Sequence, residues 1–391
     1  LRPRSAAAPR EAIQLLALAG FNAGISHRSV EPMLPKLADE FATSVSAASI
    51  VMTTYAFAYA GSLLLQGPLG DRYGKLRVVA IGMALAGLAS LGCAAAWDLG
   101  SLAAMRLATG MFASASVALG MAYIGDVVPI GERQTTIAHF IAGSMLGQML
   151  GPLVGGAFTD WVGWRLSFAA LGVVFLGVAV ILTIRTAAGW EAARSGPFRP
   201  FDVYRSLWSK MAMRWLFAVG TAETLFFFGG YAFLGAFLKA RFDVSYTSVG
   251  LILAGYGLGG LLYSSTARAL IRLLGERGLV AAGGVLGGAM FIAVVLVPYL
   301  AFTLPCTIGL GAAFYLLHNT IQLKATEVAP EARGTAVALY ATAWALGQAI
   351  GIAAIGLAVA AFGYAPAIMA CGLAFAALGL WLRSNLHRFR P

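Results

Sequence analysis

The chain has 391 residues, of which 60% are hydrophobic and 11% charged, with a mean hydropathy of +0.81 and a net charge of +11. Soluble domains run at about 45–50% apolar and about 25% charged, so this much apolar surface cannot hide from water in a soluble core, and a lipid bilayer must be the solvent for most of it. The positive charge lies in short segments between apolar stretches and not in a basic run or a polar folded domain, which excludes a nucleic-acid-binding protein.

Apolar stretches of roughly 20 residues, the length that crosses a bilayer, predict twelve spans at 12–35, 43–65, 77–97, 100–124, 135–159, 164–185, 213–237, 245–268, 277–298, 300–323, 334–361 and 364–383. Arg2, Arg4 and Arg10 flank the first like the charged region of a signal peptide. It runs on without a small-residue cleavage site, however, and reads as a span. A first residue other than Met reads as a trimmed chain. Between the sixth and seventh spans, 186–212 carries Trp190, Glu191, Arg194, Pro197, Arg199, Pro200, Asp202, Arg205 and Lys210, the one long polar segment. It divides the chain into an N-terminal unit (1–185), a linker (186–212) and a C-terminal unit (213–391).

The two units repeat one another. Asp126-Val-Val-Pro129-Ile-Gly-Glu-Arg133 and then Leu146-Gly147-Gln148-Met-Leu-Gly151 recur as Glu327-Val-Ala-Pro330-Glu-Ala-Arg333 and Leu346-Gly347-Gln348-Ala-Ile-Gly351. Similarity at half the chain length means two copies of one unit. In a membrane chain it points to a transporter with its substrate site between the halves. Orientation follows from the basic residues. Lys36, Arg165, Lys239 and Arg241 fall on one side, Arg28 and Arg106 fall inside spans, and the rest of the 27 Lys and Arg lie opposite. The richer side is cytoplasmic, so both termini are expected inside a multi-pass cell-membrane protein of the bacterial inner-membrane kind. Cys93, Cys306 and Cys371 each sit in an apolar stretch without metal-ligand or redox spacing. They read as small buried hydrophobes, and neither a metal nor a cofactor is expected.

The loop after the second span, Gly67-Pro-Leu-Gly70-Asp71-Arg72-Tyr-Gly74-Lys75-Leu76-Arg77, closely resembles the loop signature of the major facilitator superfamily, G-x-L-A/G-D-R-x-G-R/K-R/K, with Leu76 in place of the usual second basic residue. Arg106-Leu-Ala-Thr-Gly110 resembles the family's fourth-span element. Gly147-Gln-Met-Leu-Gly151-Pro152-Leu-Val-Gly155-Gly156 matches the G-x-x-x-G-P-x-x-G-G element associated with the drug:proton antiporter branch. The resemblance covers essentially the whole chain. It implies an all-α membrane protein, with twelve transmembrane helices in two pseudo-symmetric six-helix bundles around a central cavity, rocking between alternating-access states. The loop residues Gly67, Gly70, Asp71, Arg72, Gly74 and Lys75 are then expected to latch the cytoplasmic side. Gly147 and Gly151 are expected to let another helix approach closely, and Pro152 to bend its span.

Charges within spans are costly and mark function by default. The first span holds His27, Arg28 and Glu31 before Pro32 and Pro35, the fourth Arg106, the seventh Glu223, and the tenth His318, Asn319 and Gln322. Spacings of three and four place Arg28 and His27 beside Glu31. By depth, Glu31 and Arg106 both lie in the outer halves of cavity-lining spans, and a meeting of the two across the cavity is expected. Glu31, His27 and Glu223 are the candidate proton carriers. Arg28, Arg106, Asn22, Tyr231, His318, Asn319 and Gln322 are the candidate substrate contacts. Where many similar drug-cation exporters carry an acid, this chain has Arg28, which favours an anionic or zwitterionic solute. Phe226, Phe227, Phe228, Tyr231, Phe233, Tyr256, Tyr263, Tyr315, Tyr340 and Trp344 offer either an aromatic pocket lining or ordinary packing. No P-loop, H-E-x-x-H or G-x-S-x-G occurs, so an enzyme or ATP-driven pump is not expected. The reading is proton-coupled efflux of a small amphipathic solute by a monomer. The alternatives are proton-coupled uptake or exchange of a metabolite or anion and, from another class, a membrane assembly factor or sensor on a transporter scaffold.

Overall fold

The first span breaks where its prolines fall. In the computed structural model, which describes residues 9–187, 190, 202–329 and 333–389, helix α1 (Pro9–Arg28) stops at a turn carrying Pro32, and α2 (Leu34–Glu40) restarts with Pro35 in its first turn. Proline lacks the amide that a continuous helix needs and clashes with the preceding turn. The remaining helices are α3 (Val45–Ala48), α4 (Ile50–Tyr73), α5 (Lys75–Ala94), α6 (Leu99–Ala113), α7 (Ala115–Val127), α8 (Ile130–Trp161), α9 (Trp164–Thr186), α10 (Asp202–Ser209), α11 (Met211–Tyr231), α12 (Leu234–Phe242), α13 (Tyr246–Leu296), α14 (Thr303–Glu327), α15 (Arg333–Phe362) and α16 (Tyr364–Asn385).

Among the described residues, ten helical segments are long and apolar enough to cross a membrane. One of them, α13, has 51 residues and breaks at the non-helical Gly275 (φ 59°), where two helices meet at a kink, so it holds the expected eighth and ninth spans on either side of that turn. With α1, this makes six crossing segments on either side of the 186–212 segment among the described residues. The fold is the expected all-α membrane architecture. One detail of the expected linker changes: it contains α10, whose Leu207 is buried in the second half's core and whose Tyr204 hydroxyl donates to the Leu64 carbonyl of α4 at 3.2 Å. Residues 191–201, with Pro197 and Pro200, lie outside the described residues.

The internal repeat is visible in backbone geometry. Among the described residues four glycines have positive φ, and they form two pairs: Gly74 (89°) with Gly275 (59°), and Gly163 (91°) with Gly363 (83°). Each pair sits at the same turn of its own half, where a side chain would be strained. Close helix packing repeats too. A Cβ at Gly147 would strike the Phe21 carbonyl, and one at Gly347 the Thr221 carbonyl. Gly151 lies against Ile25, and Gly351 against Leu225. Both members of each contact shift by 200 residues, so α8 packs on α1 as α15 packs on α11. The expected partner of the Gly147/Gly151 face is thus the first span. Pro152 stays inside an uninterrupted α8.

One apolar core lies within 16–182 and another within 207–389, while a third draws on both, joining Val30, Met33 and Phe168 to Phe233, Ile352 and Val359. This shared core sits at the end of the bundle remote from α10. There the Ser46 hydroxyl donates to the Gly356 carbonyl at 2.5 Å, and Asp160 accepts from the Tyr246 amide (3.1 Å), the Thr247 amide (2.6 Å) and the Thr247 hydroxyl (2.6 Å). Asp160, at the end of α8, thereby caps the exposed amides that begin α13 in the opposite half.

Candidate functional site

Arg28 ends α1 and Glu31 lies in the turn beyond it, so the proline break places both at the seam between the halves. Arg28 Nη1 is 3.0 Å from Glu31 Oε1, and both side chains are almost fully buried. The guanidinium also lies 4.8 Å from the Phe228 ring, 4.9 Å from Tyr231 and 5.4 Å from Tyr256, all in the second half. Such a pair gives up hydration on both sides. It is also incompletely satisfied: Arg28 Nε and Glu31 Oε2 have no hydrogen-bond partner among the described residues.

Arg106 does not meet Glu31. Its Nη1 donates to the Ser26 hydroxyl (3.2 Å), its Nε to the Val51 carbonyl (3.4 Å), and its guanidinium lies 4.1 Å from the Tyr55 ring. The reason is register: Arg106 faces the turn of α1 that precedes Arg28, and Glu31 is already held by Arg28. Arg106 has no carboxylate partner among the described residues, and its Nη2 is unpartnered. His27 points across the seam, where its Nε2 donates to Gln348 Oε1 at 3.0 Å, with Tyr55, Tyr59 and Trp344 rings at 5.1, 5.9 and 6.1 Å.

A second polar cluster is buried in the other half. His318 Nδ1 lies 3.0 Å from Glu223 Oε1, and the Tyr340 hydroxyl donates to Glu223 Oε2 at 3.1 Å while lying 3.1 Å from His318 Nδ1. Three helices, α11, α14 and α15, thus meet on one carboxyl group, and Phe314 stacks on the imidazole at 4.8 Å. The sequence separately marks Glu223 and His318; their pairing and the role of Tyr340 appear only in the fold.

Other expected contacts stand apart. Asn22 donates to the Leu171 carbonyl (3.2 Å), tying α1 to α9 inside one half. Tyr231 does stay at the site: fully buried, its ring flanks Arg28 and its hydroxyl donates to the Leu253 carbonyl at 2.6 Å. Asn319 is half-buried and Gln322 exposed, and neither joins the Glu223 cluster. The aromatic residues of α11 form packed core: Phe227 contacts Tyr231, Phe291, Phe314 and Phe375. The expected loop is a one-residue turn: α4 runs on through Gly67, Gly70, Asp71 and Arg72, and only Gly74 separates it from α5, so Asp71 at the end of α4 pairs with Lys75 (3.4 Å), which also binds Asp126 (2.5 Å), a chain that stays within the first half. Gly70 is pressed on Leu119, whereas a Cβ at Gly67 would meet nothing within 4 Å, so no close helix approach depends on Gly67. Gln348 is the site residue that sequence reasoning passes over. Its signal is there, as a polar residue inside an apolar span at the centre of the LGQxxG repeat.

Two repeated sets of helices with buried ionisable side chains at their seam define a membrane transporter scaffold. The chain belongs to the Major Facilitator Superfamily, whose family model matches residues 16–352. It is 37% identical over 155 residues to the uncharacterized MFS-type transporter EfpA of Mycobacterium tuberculosis, covering 39% of this chain and 29% of EfpA. It is 29% identical over 260 residues to the inner membrane transport protein YnfM of Escherichia coli, covering 62% of this chain and 60% of YnfM. The match therefore spans less than two thirds of either relative. The crystal structure of a bacterial homolog of the human lysosomal transporter Spinster, inward-facing and unoccupied, superposes with a TM-score of 0.80 at 18% identity, covering 98% of both chains.

Proposed function

We propose that this transporter exports a small amphipathic solute, anionic or zwitterionic, in exchange for protons. The observation that carries the reading is the buried Arg28–Glu31 pair at the seam, with Glu31 Oε2 unpartnered. A carboxylate placed there takes either a proton or the ammonium group of a zwitterion, and that mutual exclusion is what an antiporter requires. Arg106, a buried cation without a carboxylate partner among the described residues, supplies attraction for the solute's anionic group in a partly dry site. The Glu223–His318–Tyr340 cluster is the second candidate proton site, and His27 the third. The antiporter-associated glycine motif of α8 supports efflux. On this reading residues 1–185 and 213–391 are the rocking units, 186–212 is a cytoplasmic linker, both termini are cytoplasmic in a bacterial inner membrane, and the chain acts as a monomer. The joined ends at Asp160–Thr247 then close the outer side, and the Asp71 loop latches the inner side in the opposite state.

A second reading has its own support. Protonation of Glu31 would free Arg28 for an anion, so proton and anion would bind together and the protein would perform uptake. Flux in proteoliposomes under an imposed pH gradient separates the two, using a solute found by comparing metabolites retained by cells with and without the protein. Glu31→Gln is expected to abolish gradient-driven accumulation while sparing exchange, because the amide keeps shape but cannot cycle a charge. A variant that still concentrates solute against its gradient makes Glu31 a structural partner and overturns its coupling role.

A further inference from the structure

At the α10 end of the second half, α13 and α16 come into backbone contact and then part. Cβ atoms added at Gly284 and Gly379 would each fall on the other's backbone. Beyond that crossing the two helices line a groove of about 710 Å³. Its walls include Leu274, Ala282, Val285 and Leu380, and three of these are 43–50% exposed although they are apolar. In a membrane helix such side chains face acyl chains.

The mouth of the groove carries Arg277 and Arg383, with the Ser384 hydroxyl beside them. Neither arginine has an ion pair, hydrogen bond or ring contact among the described residues. The neighbouring charges are satisfied. Lys324 binds Glu276 and Glu327, each at 2.9 Å, and Arg388 lies 4.6 Å from the Trp215 ring and donates to Asn385 at 2.8 Å. Arg277 and Val285 are eight residues apart, about 12 Å along a helix, so the charges sit at headgroup level while the far wall reaches into hydrocarbon.

We propose that this groove binds an anionic phospholipid, its phosphate on Arg277 and Arg383 and one acyl chain along the apolar walls. Basic pockets between membrane helices recognise headgroups in this way. The groove lies on the outer surface of one half, away from the seam, so the site is separate from the transport pathway.

Native mass spectrometry of the full chain, with phosphatidylglycerol and phosphatidylcholine of identical acyl chains, tests it. At about fivefold per arginine near an anionic headgroup, R277Q/R383Q should lower the preference for phosphatidylglycerol by about 30-fold. R277K/R383K should keep most of it, and R268Q/R272Q, exposed arginines earlier on α13, should leave it within about twofold. V285W, which fills the groove and leaves both arginines in place, should reduce phosphatidylglycerol binding without changing the binding of inorganic phosphate. Equal preference in the parent and R277Q/R383Q, or an equal loss in R268Q/R272Q, would overturn the site. Undiminished phosphatidylglycerol binding in V285W, or its displacement by millimolar phosphate, would overturn the lipid assignment in favour of a free anion.

Discussion

Asp160 Oδ2 accepts hydrogen bonds from both the backbone amide and the hydroxyl of Thr247, 87 residues further on and in the opposite half. A helix cap normally belongs to its own chain segment. On the proposed rocking of the two halves, the cap forms only while they are together at this end, so it stabilises one conformation and not the fold as a whole. Capping is worth about 0.5–2 kcal/mol. Asp160→Ala should therefore shift the population toward states open at this end, by about tenfold if the loss is about 1.4 kcal/mol. Distances between spin labels on α4 and α15 read this directly, and an unchanged distribution would remove the cap from the gating account. Asp71→Asn, at the opposite end, should move the same distribution the other way.

Much of this frame is legible in the sequence. The spans follow from hydropathy, and the repeat from the LGQxxG and acid-Pro-Arg pairs. Depth within a span is legible as well, which is why Glu31 and Arg106 both stand out. Azimuth is not: whether Arg106 reaches Glu31 or Ser26 depends on how α6 is rotated against α1, and hydrophobic patterning is weak when lipid and protein are equally apolar neighbours. The pairings of His27 with Gln348 and of Glu223 with His318 and Tyr340 join residues 95–321 positions apart or bring three helices together, so they exist only after packing. The break in the first span was signalled by Pro32 and Pro35, and the turn between the eighth and ninth spans falls at Gly275, just after the polar run around Arg268 and Arg272.

The repeated glycine contacts make a paired prediction. Gly147→Ala and Gly347→Ala each drive a Cβ into a backbone carbonyl of the equivalent helix in its half. Both should destabilise by about 1–3 kcal/mol, the usual cost of overpacking, and by similar amounts. Gly67→Ala should behave oppositely. Its Cβ meets nothing within 4 Å inside α4, so the gain of about 0.5–1 kcal/mol from replacing a helical glycine remains. Thermal unfolding in detergent measures all three. A destabilised Gly67→Ala would show that this glycine has a packing role absent from this conformation.

Glu40 joins three segments outside the bilayer core. Its Oε2 accepts from Trp164 Nε1 at 2.6 Å and its Oε1 pairs with Arg165, which also donates to the Ala96 carbonyl at 3.0 Å. Partial burial raises the carboxyl's pKa, but the hydrogen bonds from Trp164 and Arg165 outweigh it and hold the group below the usual carboxylate range. A depressed folded-state pKa contributes stability above the unfolded value and loses it as pH falls through the folded one. The pair is largely exposed, so the effect is about 0.2–1 kcal/mol. Glu40→Gln should melt lower than the parent at pH 7, and the two curves should converge in acid. A gap that persists at low pH would mean that shape, not charge, matters at this position.

Charge selection is best tested at Arg106, and the structure explains why. Arg28→Ala removes the partner of a buried carboxylate, and breaking a buried pair costs about 3–5 kcal/mol, so loss of transport in that variant would not distinguish binding from folding. Arg28→Ala/Glu31→Ala, which removes both charges, should recover much of that stability. Arg106 leaves no carboxylate behind: its contacts are a hydroxyl, a carbonyl and the Tyr55 ring. Arg106→Gln keeps a hydrogen-bond donor and removes a buried charge whose desolvation is not offset by an ion pair, so its stability should stay close to the parent's. Its affinity for an anionic solute should fall about tenfold relative to a neutral analogue, the scale of one charge-assisted hydrogen bond. Competition binding with a matched anionic and neutral pair is the measurement. If the variant binds the anion as tightly as the parent does, Arg106 is not the element that reads charge, and the preference for an anionic group fails with it.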